Sequence, residues 1–233
     1  MAVYIIRSLA NIIIMVPWIT CGIIVGIIYK EAGCGIIFSW NRFFLKFSGI
    51  EVRIQNDNDP SDILSGCVFT LLAQTSLLDG HVGVCAIPRP CRGIVNLEYA
   101  IIPIFGWGMW VFCYILIRQW SWQSKRALSK VDRFLKIGGN LWVSIEGRRS
   151  KNGTRSPYKK GPVVMAIQSQ AKIIPVIING TSECLGYGQW RIREGVVTVR
   201  LLNAISTKGM TYDDREGLVS QLAHIAEKEL AEK

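Results

Sequence analysis

Two short stretches of this 233-residue chain hold residue types that could handle a phosphorylated substrate. The first is Glu146-Gly147-Arg148-Arg149-Ser150, directly after a run (141–145) with the content of a buried strand. From Arg148 to Lys160 there are six basic residues and no acidic one. Arginine presents a planar fork of donors suited to phosphate oxygens, and lysine adds a point charge. A loop at a strand end is also where an α/β fold exposes its site. The same charges suit a solvated loop facing an anionic lipid surface, and charge alone weighs the two readings evenly. The second stretch runs over 72–80. Its Ser76-x-x-Asp79 spacing is a capping-box pattern at a strand-to-helix turn, which accounts for both residues without catalysis. Gln74, just before it, falls at a strand end, near the basic loop if the two strands are neighbours.

The elements that must position these residues follow from the apolar pattern. Strands are expected over 52–55, 67–72, 141–145, 173–178 and 196–202, and a helix from Ser76 onward. A second helix is expected over 162–170, with proline at its first position. The tail from Asp213 to Leu230 reads as a helix with a short apolar stripe, and Thr211-x-x-Asp214 as its capping box. Residues 56–62 form a turn cluster of Asn, Asp, Pro and Ser. Strands alternating with helices imply an α/β body around a largely parallel or mixed sheet. There is no internal repeat and no low-complexity run.

Composition narrows the partners. Residues 8–29 carry no charge and are rich in Ile and Val; as a helix of 22 residues they would span a hydrocarbon core of about 30 Å. That run marks a membrane-anchoring segment, residues 1–30, either spanning or bending at Pro17 to re-enter. The alternative is a buried core hairpin. With 27 Lys and Arg against 17 Asp and Glu, the net charge is +10, which favours phosphate-bearing partners. No basic helix with interleaved aromatics, zinc-finger spacing or RNA-binding signature is present, so nucleic acid is not the expected partner. The seven cysteines form no C-x-x-C pair and read as reduced and structural. Two histidines, His81 and His224, leave a zinc site little to work with, and no metal is expected.

Taken in order, five blocks carry a resemblance. They are Ala73-Gln74-Thr75-Ser76-Leu77-Leu78-Asp79; Glu98 followed by Ile102-Pro103-Ile104-Phe105-Gly106-Trp107 and then Ile117-Arg118; Glu146-Gly147-Arg148-Arg149-Ser150; Tyr158-Lys159-Lys160-Gly161; and Ile174-Pro175-Val176. Over roughly residues 40 to 205 the chain resembles the 1-acyl-sn-glycerol-3-phosphate acyltransferases and their lysophospholipid acyltransferase relatives. That family is marked by His-x-x-x-x-Asp and a later Glu-Gly-x-Arg-Ser. The resemblance implies an acyltransferase-like α/β domain over 31–233, a mixed sheet with flanking helices, tethered by the N-terminal membrane helix. It implies no bound cofactor, with acyl-CoA or acyl-ACP as thioester co-substrate, a lysophospholipid as acceptor, and membrane lipid as surroundings. The motif histidine, oriented by the aspartate, takes the proton from the acceptor hydroxyl that attacks the thioester. Carried over, Gln74 and Asp79 hold the catalytic positions. Glu146, Gly147, Arg148, Arg118 and Ser76 hold the substrate-binding ones, with the two arginines as phosphate ligands.

The departure lies at Gln74, where the family has histidine, and at Ala73, where it usually has asparagine. A neutral amide donates and accepts hydrogen bonds but cannot be a general base near pH 7. Loss of general-base help costs about 10² to 10⁴ in rate, which need not abolish turnover if positioning survives. His81, two residues past Asp79, is a candidate replacement base that a helical start would turn away from Asp79. Three accounts stand: a subfamily that works without the histidine, with the substrate's own phosphate accepting the proton; a non-catalytic relative that binds lipid or serves as a scaffold; or a sequence altered from histidine. A basic protein adhering to nucleic acid is the weakest alternative.

Overall fold

Alternate residues of the central strands enter two different cores, which is why their sequences are apolar throughout rather than every second residue. In the computed structural model, which describes residues 2–103, 105–116, 121–149 and 156–231, the chain opens with α1 (Ala2–Ile28) and α2 (Lys30–Phe47). There follow β1 (Ile50–Asn56), β2 (Cys67–Leu71), α3 (Leu78–Ala86), β3 (Cys91–Asn96), α4 (Leu97–Ala100), α5 (Phe105–Phe112) and β4 (Tyr114–Leu116). The remainder is α6 (Ser121–Lys136), β5 (Asn140–Ser144), α7 (Gly161–Ser169), β6 (Lys172–Asn179), α8 (Thr181–Cys184), β7 (Gly195–Leu201) and α9 (Arg215–Ala231). The strands form one mixed sheet in the order β1-β7-β6-β2-β5-β3-β4, with β6 and β7 antiparallel and the other pairs parallel. Phe69, Leu71, Trp142, Ile174 and Val176 face one core with Trp40, Phe44, Leu78 and Val82 from α2 and α3. Val68, Leu72, Leu141, Val143, Ile173 and Ile177 face the other, under α6, α7 and α9. The sheet is thus the middle of three layers.

Each strand expected from sequence is present, and so are the α7 and α9 helices. The capping box at Thr211 forms, with Asp214 accepting from the Thr211 N–H at 2.6 Å. β3, β4 and the helices α4, α5 and α6 were not foreseen; β4 and α4 are only three and four residues long, and Arg92 and Gly93 interrupt β3.

The N-terminal apolar run is not a separate tether. α1 continues through Pro17 without a break and packs antiparallel on α2. Glycine makes that contact possible: a Cβ at Gly33 would lie 2.4 Å from Gly26 Cα and 2.7 Å from the Gly22 carbonyl oxygen. The two backbones therefore touch, and a division of the chain after residue 30 falls at the turn between two packed helices. The first half of α1 is also docked on the body. Arg7 pairs with Glu194 at 3.0 Å, Asn11 donates to Ser48 Oγ at 2.9 Å, and the Ile192 N–H donates to Ser8 Oγ at 3.1 Å. Its other face is bare, with Ile6, Ile12, Ile13, Ile24, Ile27 and Ile28 exposed. Residues 5–28 are long and apolar enough to cross a membrane.

Candidate active site

β2 and β5 are parallel neighbours, Leu71 beside Ser144, so the two motif-bearing stretches leave the sheet side by side at its carboxyl edge. The Ile145 N–H donates to the Leu71 carbonyl at 3.1 Å, Tyr158 Oη to the Leu72 carbonyl at 2.6 Å, and the Lys159 N–H to the Ile145 carbonyl at 2.8 Å. These bonds fix Gln74 against the basic loop, as the strand-neighbour expectation required.

Glu146 is the brace of this junction. It is buried, and its carboxylate accepts the Gln74 N–H at 3.1 Å on one oxygen and the Ser156 N–H at 3.0 Å on the other. Both oxygens thus hold backbone. Gly147 has φ +67°, a left-handed turn that a side chain would strain, and its carbonyl accepts from Asn96 Nδ2 at 2.9 Å. Arg148 is held by a bond from its Nε to Ser156 Oγ at 2.9 Å. Among the described residues its terminal nitrogens have no partner.

Asp79 is 1 % exposed and takes three donors. The N–H groups of Thr75 and Ser76 reach Oδ2 at 2.8 and 2.9 Å, and the buried Thr181 hydroxyl reaches Oδ1 at 2.5 Å. Burial pushes this carboxyl up to about 6, against the pull of the Ser76 N–H, the Thr181 hydroxyl, the Thr75 N–H and the charge of Arg149. The carboxyl thus holds the turn together, and no hydrogen bond joins it to the Gln74 side chain. Helix α3 begins at Leu78 with Leu77 as its cap, two residues later than expected. The Ser76 hydroxyl donates to the Leu185 carbonyl at 2.7 Å and accepts from the Leu78 N–H at 3.2 Å. Its only proton is committed, which removes Ser76 from the substrate-binding set.

His81 turns toward α2. Its Nδ1 lies 2.6 Å from Asn41 Oδ1, and its ring packs on Trp40 and Phe44. Burial pushes its pKa down to about 4, too weak for a base at neutral pH. His224 is exposed on α9. Arg118 lies outside the described residues. Asn96 and Thr181 were missed from sequence; an Asn-Gly turn signal at 179–180 flags the second.

A cavity of about 880 Å³ opens from this edge. At one end Gln74, Asp79, Asn96, Gly147, Arg148 and Lys159 line it; along its length the walls are Ile19, Phe38, Trp40, Met109, Phe112 and Trp142. The volume is that of a small-molecule site, and a polar end on an apolar channel suits an amphiphile. Among the described residues no cluster of ligating side chains could hold a metal ion.

The acyltransferase family model matches residues 59–179. The chain is 29% identical over 182 residues to 1-acyl-sn-glycerol-3-phosphate acyltransferase beta of Homo sapiens, covering 76% of this chain and 64% of that one. It is 28% identical over 170 residues to the 1-acyl-sn-glycerol-3-phosphate acyltransferase of Saccharomyces cerevisiae, covering 71% and 55%. The chain thus spans less than two thirds of either relative. The crystal structure of the 1-acyl-sn-glycerophosphate acyltransferase PlsC from Thermotoga maritima shares the fold, with a TM-score of 0.66, 18% identity and 97% of both chains covered.

Proposed function

The chain belongs to the acyltransferase family, and from that premise we propose that it moves an acyl chain from a thioester of coenzyme A or acyl carrier protein to the hydroxyl of lysophosphatidate. The observation that carries this reading is the cavity itself, with Arg148 at one end and room for hydrocarbon beyond it. Arg148 holds the acceptor phosphate, joined by Lys159 from the same wall. The Gln74 carboxamide accepts a hydrogen bond from the acceptor hydroxyl and orients it toward the thioester carbon. The hydroxyl oxygen forms the new ester bond, the carbon–sulfur bond breaks, and the hydroxyl proton ends on the departing thiol. Gln74 is not basic enough to carry that proton. The acceptor's own phosphate, whose second ionisation lies near pH 6, is the base within reach. The bare apolar face of α1 supports a site beside lipid, where the lysophosphatidate acceptor partitions.

Gln74 also favours a second reading, a lipid-binding scaffold of the same fold that no longer turns over. The two separate on acyl transfer by the purified, detergent-solubilised chain. Lysophosphatidate and an acyl-CoA are supplied, and free thiol is followed. Turnover that Arg148→Ala abolishes supports the enzyme. If only Gln74→His turns over, the chain is a disabled relative; silence from both leaves the binding protein.

A further inference from the structure

The end of the cavity away from Gln74 carries charge that acyl transfer does not use. Arg92 sits on β3, four residues before Asn96 and on the same face of the strand, about 13 Å from it at about 3.3 Å per residue. Both residues line the cavity, with Ile94 between them. The Arg92 guanidinium lies 4.8 Å from the Phe134 ring centroid and 5.5 Å from that of Tyr114, whose hydroxyl accepts from it at 3.4 Å. Two aromatic faces and a phenol thus hold a half-buried cation in place. Among the described residues no carboxylate lies within ion-pair distance of it, and residues 116–127 contain no Asp or Glu. Glu31 is the one carboxylate lining this end and does not pair with Arg92. Lys30 and Lys130 add positive charge: the Lys30 ammonium is depressed by burial first, then by Arg92 and Lys130. Arg89, over the Phe38 ring at 4.3 Å, lines the same end.

An arginine preorganised at one end of an apolar channel, with no carboxylate partner among the described residues, is a receptor for an anion. We propose that the Arg92 end of the cavity is a second head-group site. It takes the anionic head of a single-chain amphiphile, a fatty carboxylate or a lysolipid phosphate, and lays the tail along Ile94 toward Asn96. Such a ligand occupies the channel in the reverse sense and excludes the acyl chain of the proposed reaction. The site stands on its own geometry, and its test reads binding, so failure of acyl transfer leaves it untouched.

The experiment displaces a fluorescent polyene fatty acid from the purified full chain in non-ionic detergent. The competitors are oleic acid, methyl oleate and oleoyl lysophosphatidate, tried on the unmodified chain, Arg92→Gln, Arg92→Lys and Arg148→Gln. A charge-assisted bond predicts that oleic acid competes at least tenfold better than its methyl ester, and that Arg92→Gln removes this difference. Arg92→Lys retains most of it, and Arg148→Gln leaves it unchanged. Lysophosphatidate that weakens in Arg92→Gln uses this site as the carboxylate does. If it weakens only in Arg148→Gln, the ligand here is a carboxylate. Equal competition by acid and ester on the unmodified chain, or loss of the difference in Arg148→Gln alone, overturns the proposal.

Discussion

Replacing Asp79 by asparagine separates the charge of this carboxyl from its hydrogen bonds. The amide oxygen can accept the Thr75 and Ser76 N–H groups where Oδ2 now does, and the amide nitrogen can donate to Thr181. The Thr181 hydroxyl then reverses and donates to Thr75 Oγ1, 3.3 Å away. The bonding survives and the charge is gone. The folded-state pKa, about 6, stands above the ordinary 3.8, so between those values the native chain holds a proton that the unfolded chain has released. Stability therefore falls as pH rises through this window, and is fully restored below it. Two pKa units at 1.36 kcal/mol each make the loss about 3 kcal/mol at pH 7. Asp79→Asn should melt with the unmodified chain at pH 4 and about 6–12 °C above it at pH 7, for a chain of this size. Thermal melts followed by tryptophan fluorescence from pH 4 to 8 check this. A variant less stable at every pH refutes the argument, because it would show that the carboxylate is held by more than its hydrogen bonds. Turnover provides an independent reading. With no imidazole at 74 the charge has no tautomer to fix, so the variant should lose less than tenfold. A loss near the 10⁴ seen when a buried triad aspartate is amidated would mean that Asp79 acts on the reacting proton.

Glu146→Ala leaves the Gln74 and Ser156 N–H groups without an acceptor, at about 1–3 kcal/mol each, and Glu146→Gln should lose about half as much; denaturant unfolding separates them. Gly33→Ala forces the α1–α2 backbones apart and should destabilise by about 1–3 kcal/mol, with faster proteolysis at the turn around Tyr29. Gln74→His alone should raise the rate little if Thr181 keeps Asp79 Oδ1, whereas Gln74→His with Thr181→Val should approach the 10² to 10⁴ of a working base. Equal rates for the single and the double variant would show that Thr181 does not compete.

How much of this was legible depended on whether a residue's partners lie nearby in sequence. The strands at 67–71, 140–144 and 172–179 read plainly because burial on both faces makes them unbroken apolar runs. β3 did not, because Arg92 and Gly93 interrupt it. Gln74 could be placed beside Glu146 once β2 and β5 were taken as neighbours, and the Arg148 loop followed from charge alone. The Ser76–Asp79 capping reading holds in part: Asp79 accepts the Ser76 N–H, and the Ser76 hydroxyl accepts the Leu78 N–H. Two further partners could not be read: the Ser76 hydroxyl donates to Leu185, 109 residues away, and Asp79 Oδ1 takes Thr181, 102 residues away. Contacts of that range leave no local signature.

Those long-range contacts bear on how Asp79 is used. In a histidine–aspartate pair the carboxylate keeps one oxygen open for the ring N–H. Here both oxygens of Asp79 are satisfied by groups that belong to the fold, and the carboxyl is buried deeply enough to stand near pH 6. The Thr181 hydroxyl takes Oδ1, so three donors already hold a carboxylate with about four acceptor sites. No hydrogen bond joins the Gln74 side chain to Asp79, and Thr181 occupies the oxygen that a ring at 74 would need. The pocket around them is lined by Arg148 and an apolar channel, and Glu146 braces its edge. Gln74 cannot take the proton, so Gln74→His should act on kcat and spare substrate affinity.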